Sequence, residues 1–341
     1  MDMWMATALA ATALVSFLLS ALAGKRLIPW LYRLRFGQTI REIGPKWHQK
    51  KQGTPTMGGM LFAVGLLSLV IAVPLCELWL SKTVPSLRIF TSNDTITRFV
   101  AGLLLMLGCG AIGFADDYIK VVKKRNLGLT SVQKLVLQIL VAACYITSLY
   151  LCGDHVMHIP FLGEVELGLW FIPLGIFIVV GATNAVNLTD GIDGLCGTVS
   201  FLALLPLLVL AGYFGLCGQG LTAAALAGAI LGFLVWNLHP AKVFMGDLGS
   251  LFLGGALCAV AFGIGRPLLL VPIGIVYILE TVSVMLQVVY FKLTHGKRLF
   301  KMSPIHHHFE MCGWSENTIV TVFSAVTLLG CVGALALEMF A

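Results

Sequence analysis

Two adjacent carboxylates, Asp116 and Asp117, end a long apolar run from Phe99 to Ala115, and Lys120, Lys123 and Lys124 follow closely. Carboxylates at the end of a membrane-compatible segment are costly to desolvate, so they need a reason to be there. Acids beside lysines suit a metal ion and the phosphates it would hold. An interfacial acid pair neutralised by its own lysines would look the same over this stretch alone. In a helix, successive residues diverge by about 100°, so the two acids cannot aim at one point in the same way. Asp116 and Lys120, four apart, share a face. A division of labour is expected, with one carboxylate near a metal and the other near a lysine-bound phosphate.

Three further stretches carry related chemistry. Residues 184–194 hold Asn184, Asn187, Asp190 and Asp193, and Gly191, Gly194 and Gly197 point to an irregular backbone there. Glycine permits close approach to a flat or phosphorylated ligand, although a glycine-rich helix break capped by Asn and Asp fits equally well. Residues 237–250 hold Asn237, His239, Phe244 and Asp247. Asp247 starts a helix and could serve as an N-cap. Its neighbours Gly246, Gly249 and Ser250 leave N–H groups open, a setting for a magnesium-bound diphosphate. Mg²⁺ usually takes one or two carboxylates plus phosphate oxygens, and Asp247 with Asp117 supplies that number.

His306, His307 and His308 fall in an expected loop. Consecutive histidines can seldom all ligate one ion, and no thiols accompany them, so zinc is not the expected ligand. Beside Lys297, Arg298 and Lys301 they suit a diphosphate; a solvated histidine cluster is the alternative. The loop 47–59, with Lys51 and Thr56 among its cations, hydroxyls and glycines, fits a phosphate-contacting or gating role. It lacks Walker A spacing, and no G-x-S-x-G element occurs.

The elements that must position these groups are membrane helices. The 341 residues are 58% hydrophobic and 11% charged, with a mean hydropathy of +0.94, far too apolar for a water-soluble globule. Ten apolar segments are long enough to span a bilayer: 4–24, 58–80, 98–116, 133–151, 169–187, 197–216, 220–238, 248–265, 268–291 and 317–339. The first has Asp2 and no Lys or Arg before it, and it reads as a retained helix rather than a signal peptide. The expected fold is a single all-α polytopic membrane domain over residues 1–341, with a small extracytoplasmic hairpin within 152–168. The nine cysteines show no C-x-x-C pair and read as small core residues.

Threading ten spans places loops 25–57, 117–132, 188–196, 239–247 and 292–316 on one side. Counting the flanking Lys134, that side holds 18 of the 22 Lys and Arg residues. The positive-inside rule makes it cytoplasmic and puts both termini outside. The net charge of +6 is then a one-sided surface suited to anionic lipid and phosphorylated substrates, and no nucleic-acid partner is expected. Asp116, Asp117, Asp190, Asp193, Asp247, His239 and the three consecutive histidines all fall on that side, so an active-site cleft is expected there.

The runs Gly-Thr-Pro-Thr-Met-Gly-Gly (53–59), Phe-Ala-Asp-Asp-Tyr (114–118), Asn-Ala-Val-Asn-Leu-Thr-Asp-Gly-Ile-Asp-Gly (184–194) and Pro-Ile-His-His-His-Phe-Glu (304–310) form a specific combination. Together they resemble the polyprenyl-phosphate N-acetylhexosamine-1-phosphate transferases, most closely the bacterial phospho-N-acetylmuramoyl-pentapeptide translocases. Small departures, such as Ile192 where leucine is common, do not weaken the match. The resemblance implies transfer of phospho-N-acetylmuramoyl-pentapeptide from its UDP-activated form to undecaprenyl phosphate. The products would be lipid I and UMP, the cofactor Mg²⁺, the context peptidoglycan synthesis in the bacterial cytoplasmic membrane, and the assembly a homodimer.

Carried over by motif position, the resemblance implies that Asp247 ligates Mg²⁺, Asp117 is catalytic or metal-proximal, and Asp116 handles the lipid phosphate. Asp193 and Phe244 would hold uracil, and Lys51, Asn184, Asn187, Asp190, Asn237 and Gln287 would line the cleft. His306 and His307 would contact the diphosphate or sugar, and His306 would count with Asp116, Asp117 and Asp247 among the catalytic residues; Thr56, Lys120 and His308 complete the expected substrate contacts. The acceptor is a phosphate monoester with a second pKa of about 6, so it is largely dianionic at neutral pH and needs no strong base. Direct in-line attack on the β-phosphorus is expected, with double displacement through an aspartyl-phosphate as the competing chemistry. Two other readings are a sibling transferase using UDP-N-acetylglucosamine and a secondary transporter. The transporter would place acids mid-span, where only Glu280 lies.

Overall fold

The computed structural model describes residues 2–34, 51–122 and 128–340. Trp47, His48, Gln49 and Lys50 of the 47–59 loop, together with Lys123 and Lys124, lie outside the described residues. In chain order the main elements are α1 (Met3–Arg33), α2 (Met60–Pro74), α3 (Asn93–Val122), α4 (Ser131–Leu151), β1 (Val156–Ile159), β2 (Gly163–Glu166), α5 (Phe171–Thr189), α6 (Leu195–Tyr213), α7 (Cys217–Asn237), α8 (Gly246–Gly263), α9 (Leu270–Ile273), α10 (Ile275–Leu293), α11 (Ile305–Met311) and α12 (Glu316–Phe340). Among the described residues ten helices are long and apolar enough to cross a membrane, α2 counting with the helical turns that carry it to Lys82. The protein is an all-α polytopic membrane protein.

Two helices, α1 and α3, run well past the apolar segments that announce them. Hydropathy marks only the stretch that lipid must solvate, whereas the backbone hydrogen-bond ladder continues into polar sequence. Thus α3 extends to Val122, and Asp116 and Asp117 lie inside the helix rather than at its end. The expected ninth span divides at Gly274, whose N–H donates to Leu270 O at 3.0 Å before α10 begins. Pro272 supplies no backbone donor there, which favours the interruption. The three histidines, expected on a loop, occupy the short helix α11, which starts after Pro304 in extended conformation. Phe309 stacks on Trp314, with centroids 4.7 Å apart, and tethers this helix to the start of α12.

Small residues set the packing. In α7, Gly218, Gly220, Ala223, Ala224, Ala225, Gly228, Ala229 and Gly232 are all buried, and the helix sits at the centre of the bundle against α1, α2 and α6. A Cβ on Gly228 would lie 2.1 Å from Ala13 O, so α1 and α7 meet backbone to backbone. On α1, Met5, Leu9, Thr12, Ser16, Ser20, Gly24, Ile28 and Leu31 form the buried stripe, while Leu14, Leu18 and Leu22 face outward. Ser16 and Ser20 donate to Ala225 O and Ala229 O at 2.6 and 2.9 Å. Such bonds average only about 0.6 kcal/mol each in a membrane, so the close approach of small residues dominates.

The same device joins α3 to α8. A Cβ on Gly113 would fall 2.1 Å from Asp247 O, and one on Gly255 would lie 3.0 Å from Cys109 Sγ. Between α4 and α5, β1 and β2 form the expected hairpin, antiparallel with Val156 opposite Glu166 and Ile159 opposite Gly163.

Candidate active site

Gly113 brings one turn of α3 against the first turn of α8, and this contact assembles the central cluster. Asp116, Asp117 and Asp247 each offer a carboxylate oxygen within 4.8 Å of the others. Lys120 Nζ lies 2.5 Å from Asp116 Oδ2, 2.7 Å from Asp247 Oδ2 and 3.8 Å from Asp117 Oδ1. Lys134 of α4 reaches Asp247 Oδ2 at 3.2 Å. Asn187 Nδ2 donates to Asp247 Oδ1 at 2.7 Å and to Ser250 Oγ at 2.8 Å. Among the described residues, three carboxylates therefore face two ammonium groups from three helices.

The adjacent aspartates do divide. Asp116 Oδ1 accepts from Leu129 N–H at 2.7 Å, whereas Asp117 Oδ2 accepts from Leu248 N–H at 3.1 Å. One acid thus ties α3 to the chain that leads into α4, and the other ties it to α8. Their remaining oxygens nevertheless turn toward Lys120, so the divergence of neighbouring helical positions is partial.

Backbone pairing brings in the segment before α2. Phe244 N–H donates to Pro55 O, and Gly58 N–H to Phe244 O, both at 2.8 Å. Gly246 has φ +74, a conformation that strains any side chain, and a Cβ there would meet Asp117 Oδ2 at 2.4 Å and Thr56 Oγ1 at 2.6 Å. Thr56 is thereby held beside the carboxylates. The Gly246 N–H also donates to Asp190, whose carboxyl is pushed up to about 8, by burial first and then by the charges of Asp247, Asp117 and Asp193.

A second cluster lies across the 190–194 turn. Asp193 Oδ1 accepts from Lys51 Nζ at 2.7 Å, and its Oδ2 accepts from Ala241 N–H at 3.0 Å and lies 3.0 Å from His239 Nδ1. Lys51 also reaches Glu316 Oε2 at 2.6 Å. Asn237 pins the turn, accepting from Gly194 N–H at 3.1 Å and donating to Val243 O at 2.9 Å.

Other expected contacts are already engaged within the protein. Asn184 donates to Gln138 Oε1 at 2.9 Å and to Val180 O at 2.8 Å. Gln287 accepts from Phe300 N–H at 2.8 Å and so anchors the loop before α11. The three histidines fan out, as consecutive helical positions must. His306 has no solvent exposure; its Nδ1 lies 3.0 Å from Glu280 Oε2, and a Cβ on Gly191 would sit 2.1 Å from its Nε2. It therefore backs the 190–194 turn rather than reaching an open surface. His307 Nδ1 lies 2.6 Å from Glu310 Oε2, and His308 Nδ1 accepts from Lys301 N–H at 3.1 Å.

Lys134 and Glu316 join the two clusters although no sequence motif marks them, and Ser250 and His239, noted in the 237–250 stretch, bring their side chains in as well. Lys134 and Gln138 are spaced four apart at the start of an apolar span, a signal that was available. Glu316 carried no such signal, because an acid in the first turn of a helix is ordinary.

The central donor set fits a hard divalent cation. All three groups are carboxylates, Asn187 and Ser250 are oxygen-bearing neighbours, and no thiol or imidazole takes part. The second set mixes Asp193, His239 and Glu316, and Lys51 already pairs with two of its members.

Comparison with known proteins adds an independent line. Residues 99–264 match the model of glycosyl transferase family 4. A phospho-N-acetylmuramoyl-pentapeptide-transferase of Geobacillus kaustophilus is 49% identical over 317 residues, covering 92% of this chain and 93% of its own. One from Halalkalibacterium halodurans is 46% identical over 334 residues, covering 96% and 97%. One from Clostridium perfringens is 45% identical over 323 residues, covering 94% of each.

Proposed function

The chain belongs to the phospho-N-acetylmuramoyl-pentapeptide-transferase family, and from that premise we propose that it transfers phospho-N-acetylmuramoyl-pentapeptide from its UDP-activated form to undecaprenyl phosphate. The products are lipid I and UMP, and the step serves peptidoglycan synthesis. The observation that carries the reading is the convergence of Asp116, Asp117 and Asp247 on two lysines at the meeting of α3, α4 and α8. The excess of Lys and Arg on the loops of that side supports a site facing the cytoplasm. Assembly as a homodimer is part of the same proposal.

Asp247 and Asp117 are the proposed Mg²⁺ ligands, with Asp116 close by. When bound, the ion would neutralise charge on the diphosphate as it develops on the leaving group. The residues themselves supply the rest. Lys120 and Lys134 offer positive charge to phosphate oxygens that replace a carboxylate partner. Asn187 orients Asp247 through its Oδ1, leaving Oδ2 for the cations. Asp193, Lys51 and Phe244 form the proposed uracil end of the cleft, and Asn237 holds the turn that carries Asp193. His306 acts from behind that turn, through its packing on Gly191.

The acceptor phosphate, dianionic above about pH 6, attacks the β-phosphorus directly. The new oxygen–phosphorus bond forms as the bond to the bridging oxygen breaks, and UMP leaves with that electron pair. The test is UMP release and lipid-linked product formation by the purified protein with each sugar nucleotide, with and without Mg²⁺. Transfer from the muramoyl-pentapeptide nucleotide is expected; transfer from UDP-N-acetylglucosamine instead would overturn the substrate assignment.

A further inference from the structure

Glu316 belongs to no motif, yet it joins several segments that build the second cluster. It opens α12 and is almost buried. Its Oε2 accepts from Lys51 Nζ at 2.6 Å and from the backbone N–H of Asp193 at 3.0 Å. Its Oε1 lies 3.7 Å from Nδ1 of His239. One carboxylate thus holds the main chain of the 190–194 turn, the cation that faces it and the edge of the 239–241 segment.

An acid in the first turn of a helix is favourable by itself, through the helix dipole. Ser315 Oγ already accepts from Thr318 N–H at 3.2 Å and caps this end. Dipole stabilisation accounts for a charge at position 316 but not for two short bonds running back to Lys51 and Asp193. A lysine held between two carboxylates keeps one geometry; with one removed, its flexible stem is released. The buried Asp193 N–H would also lose its acceptor.

We propose that Glu316 is a positioning residue of the nucleotide subsite, presetting Lys51 and the Asp193 turn for the uridine half of the donor substrate. The inference rests on the reading of the site given above. A pyrimidine dione presents an N–H donor between two carbonyl acceptors, which an aspartate and a lysine in fixed relation can match. Ordering both before binding lowers the cost of recognition. The acceptor phosphate belongs to the other cluster, so the effect falls on one substrate.

Steady-state kinetics of the full chain, varying each substrate in turn, test this. For Glu316→Gln, KM for the muramoyl-pentapeptide nucleotide is expected to rise about tenfold, the scale of one lost charge-assisted hydrogen bond. KM for undecaprenyl phosphate should stay within about twofold, and kcat should be largely kept. Glu316→Asp keeps the charge at the helix start but shortens the reach, so an intermediate rise is expected. Thermal protection by UDP should weaken in the same order. Unchanged nucleotide KM in both variants, an equal rise for both substrates, or a fall in kcat alone would overturn the proposal. If the unsubstituted protein releases no UMP, the functional reading fails instead, and UDP protection alone then decides the role of Glu316.

Discussion

Lys120 Nζ lies 2.7 Å from Oδ2 of Asp247, and so bridges α3 to α8 at the focus of three carboxylates. Its ammonium stands where a divalent cation would compete for the same oxygens. Among the described residues, removing it leaves the carboxylates opposed by Lys134 alone. Lys120→Gln should therefore bind divalent ions more tightly, by about tenfold in Kd, or about 1.4 kcal/mol, while losing activity. Mn²⁺ titration followed by electron paramagnetic resonance reads the first effect. Weaker Mn²⁺ binding in the variant would show that Lys120 orders the site rather than competing for it.

Asp247 has Lys120, Lys134 and Asn187 all on its carboxylate. Asp247→Ala should abolish turnover at every pH and at every Mg²⁺ concentration. Asp247→Asn, which keeps the shape and one oxygen, should lose activity by at least about a hundredfold, the scale of one electrostatic catalytic group. Substantial Mg²⁺-dependent turnover by the alanine variant would sink the ligand assignment.

Gly113 is the geometric condition for this cluster. A methyl group there would meet the Asp247 carbonyl oxygen at 2.1 Å and Leu248 N at 2.5 Å. Both are backbone atoms, so no rotamer change can relieve the clash, and α3 must move from α8. Gly113→Ala is expected to cost about 1–3 kcal/mol, as overpacking does, and to reduce kcat as the two carboxylate sets separate. Thermal unfolding in detergent and turnover together check it. Gly181, where a Cβ would meet open space, is the control and should tolerate Ala with little change.

How far the site could be read from sequence differs from residue to residue. Asp117 and Asp247 were legible because a carboxylate in an apolar chain is costly and glycine neighbours mark close approach. The ten spans were legible from hydropathy, which reports lipid solvation directly. The extension of α3 past Asp117 to Val122 was not, since helix ends beyond the bilayer are set by hydrogen bonding rather than by apolar character. For His306, an expected loop beside Lys297, Arg298 and Lys301 and the family resemblance point to a substrate contact; its burial depends on α11 packing against α10, a tertiary contact without local signal. Glu316 was invisible for the opposite reason, being an unremarkable acid at a helix start whose partners lie 123 and 265 positions away in the chain.

Asp190 gives a prediction in pH. Its carboxyl is pushed up to about 8 in the folded protein, from an ordinary value of 3.8, by burial and by Asp247, Asp117 and Asp193. Below pH 3.8 both folded and unfolded chains carry the proton, and Asp190 contributes no pH dependence. Between that value and about 8 the folded chain keeps a proton that the unfolded chain releases, so stability falls as pH rises. Above about 8 both forms are ionised and the loss levels off. Asp190→Asn cannot ionise and should remove this component. Without divalent ions, its unfolding temperature should fall less than that of the unsubstituted protein between pH 5 and about 8. Parallel pH profiles for the two proteins would mean that Asp190 is already ionised in the fold, held by the Gly246 N–H.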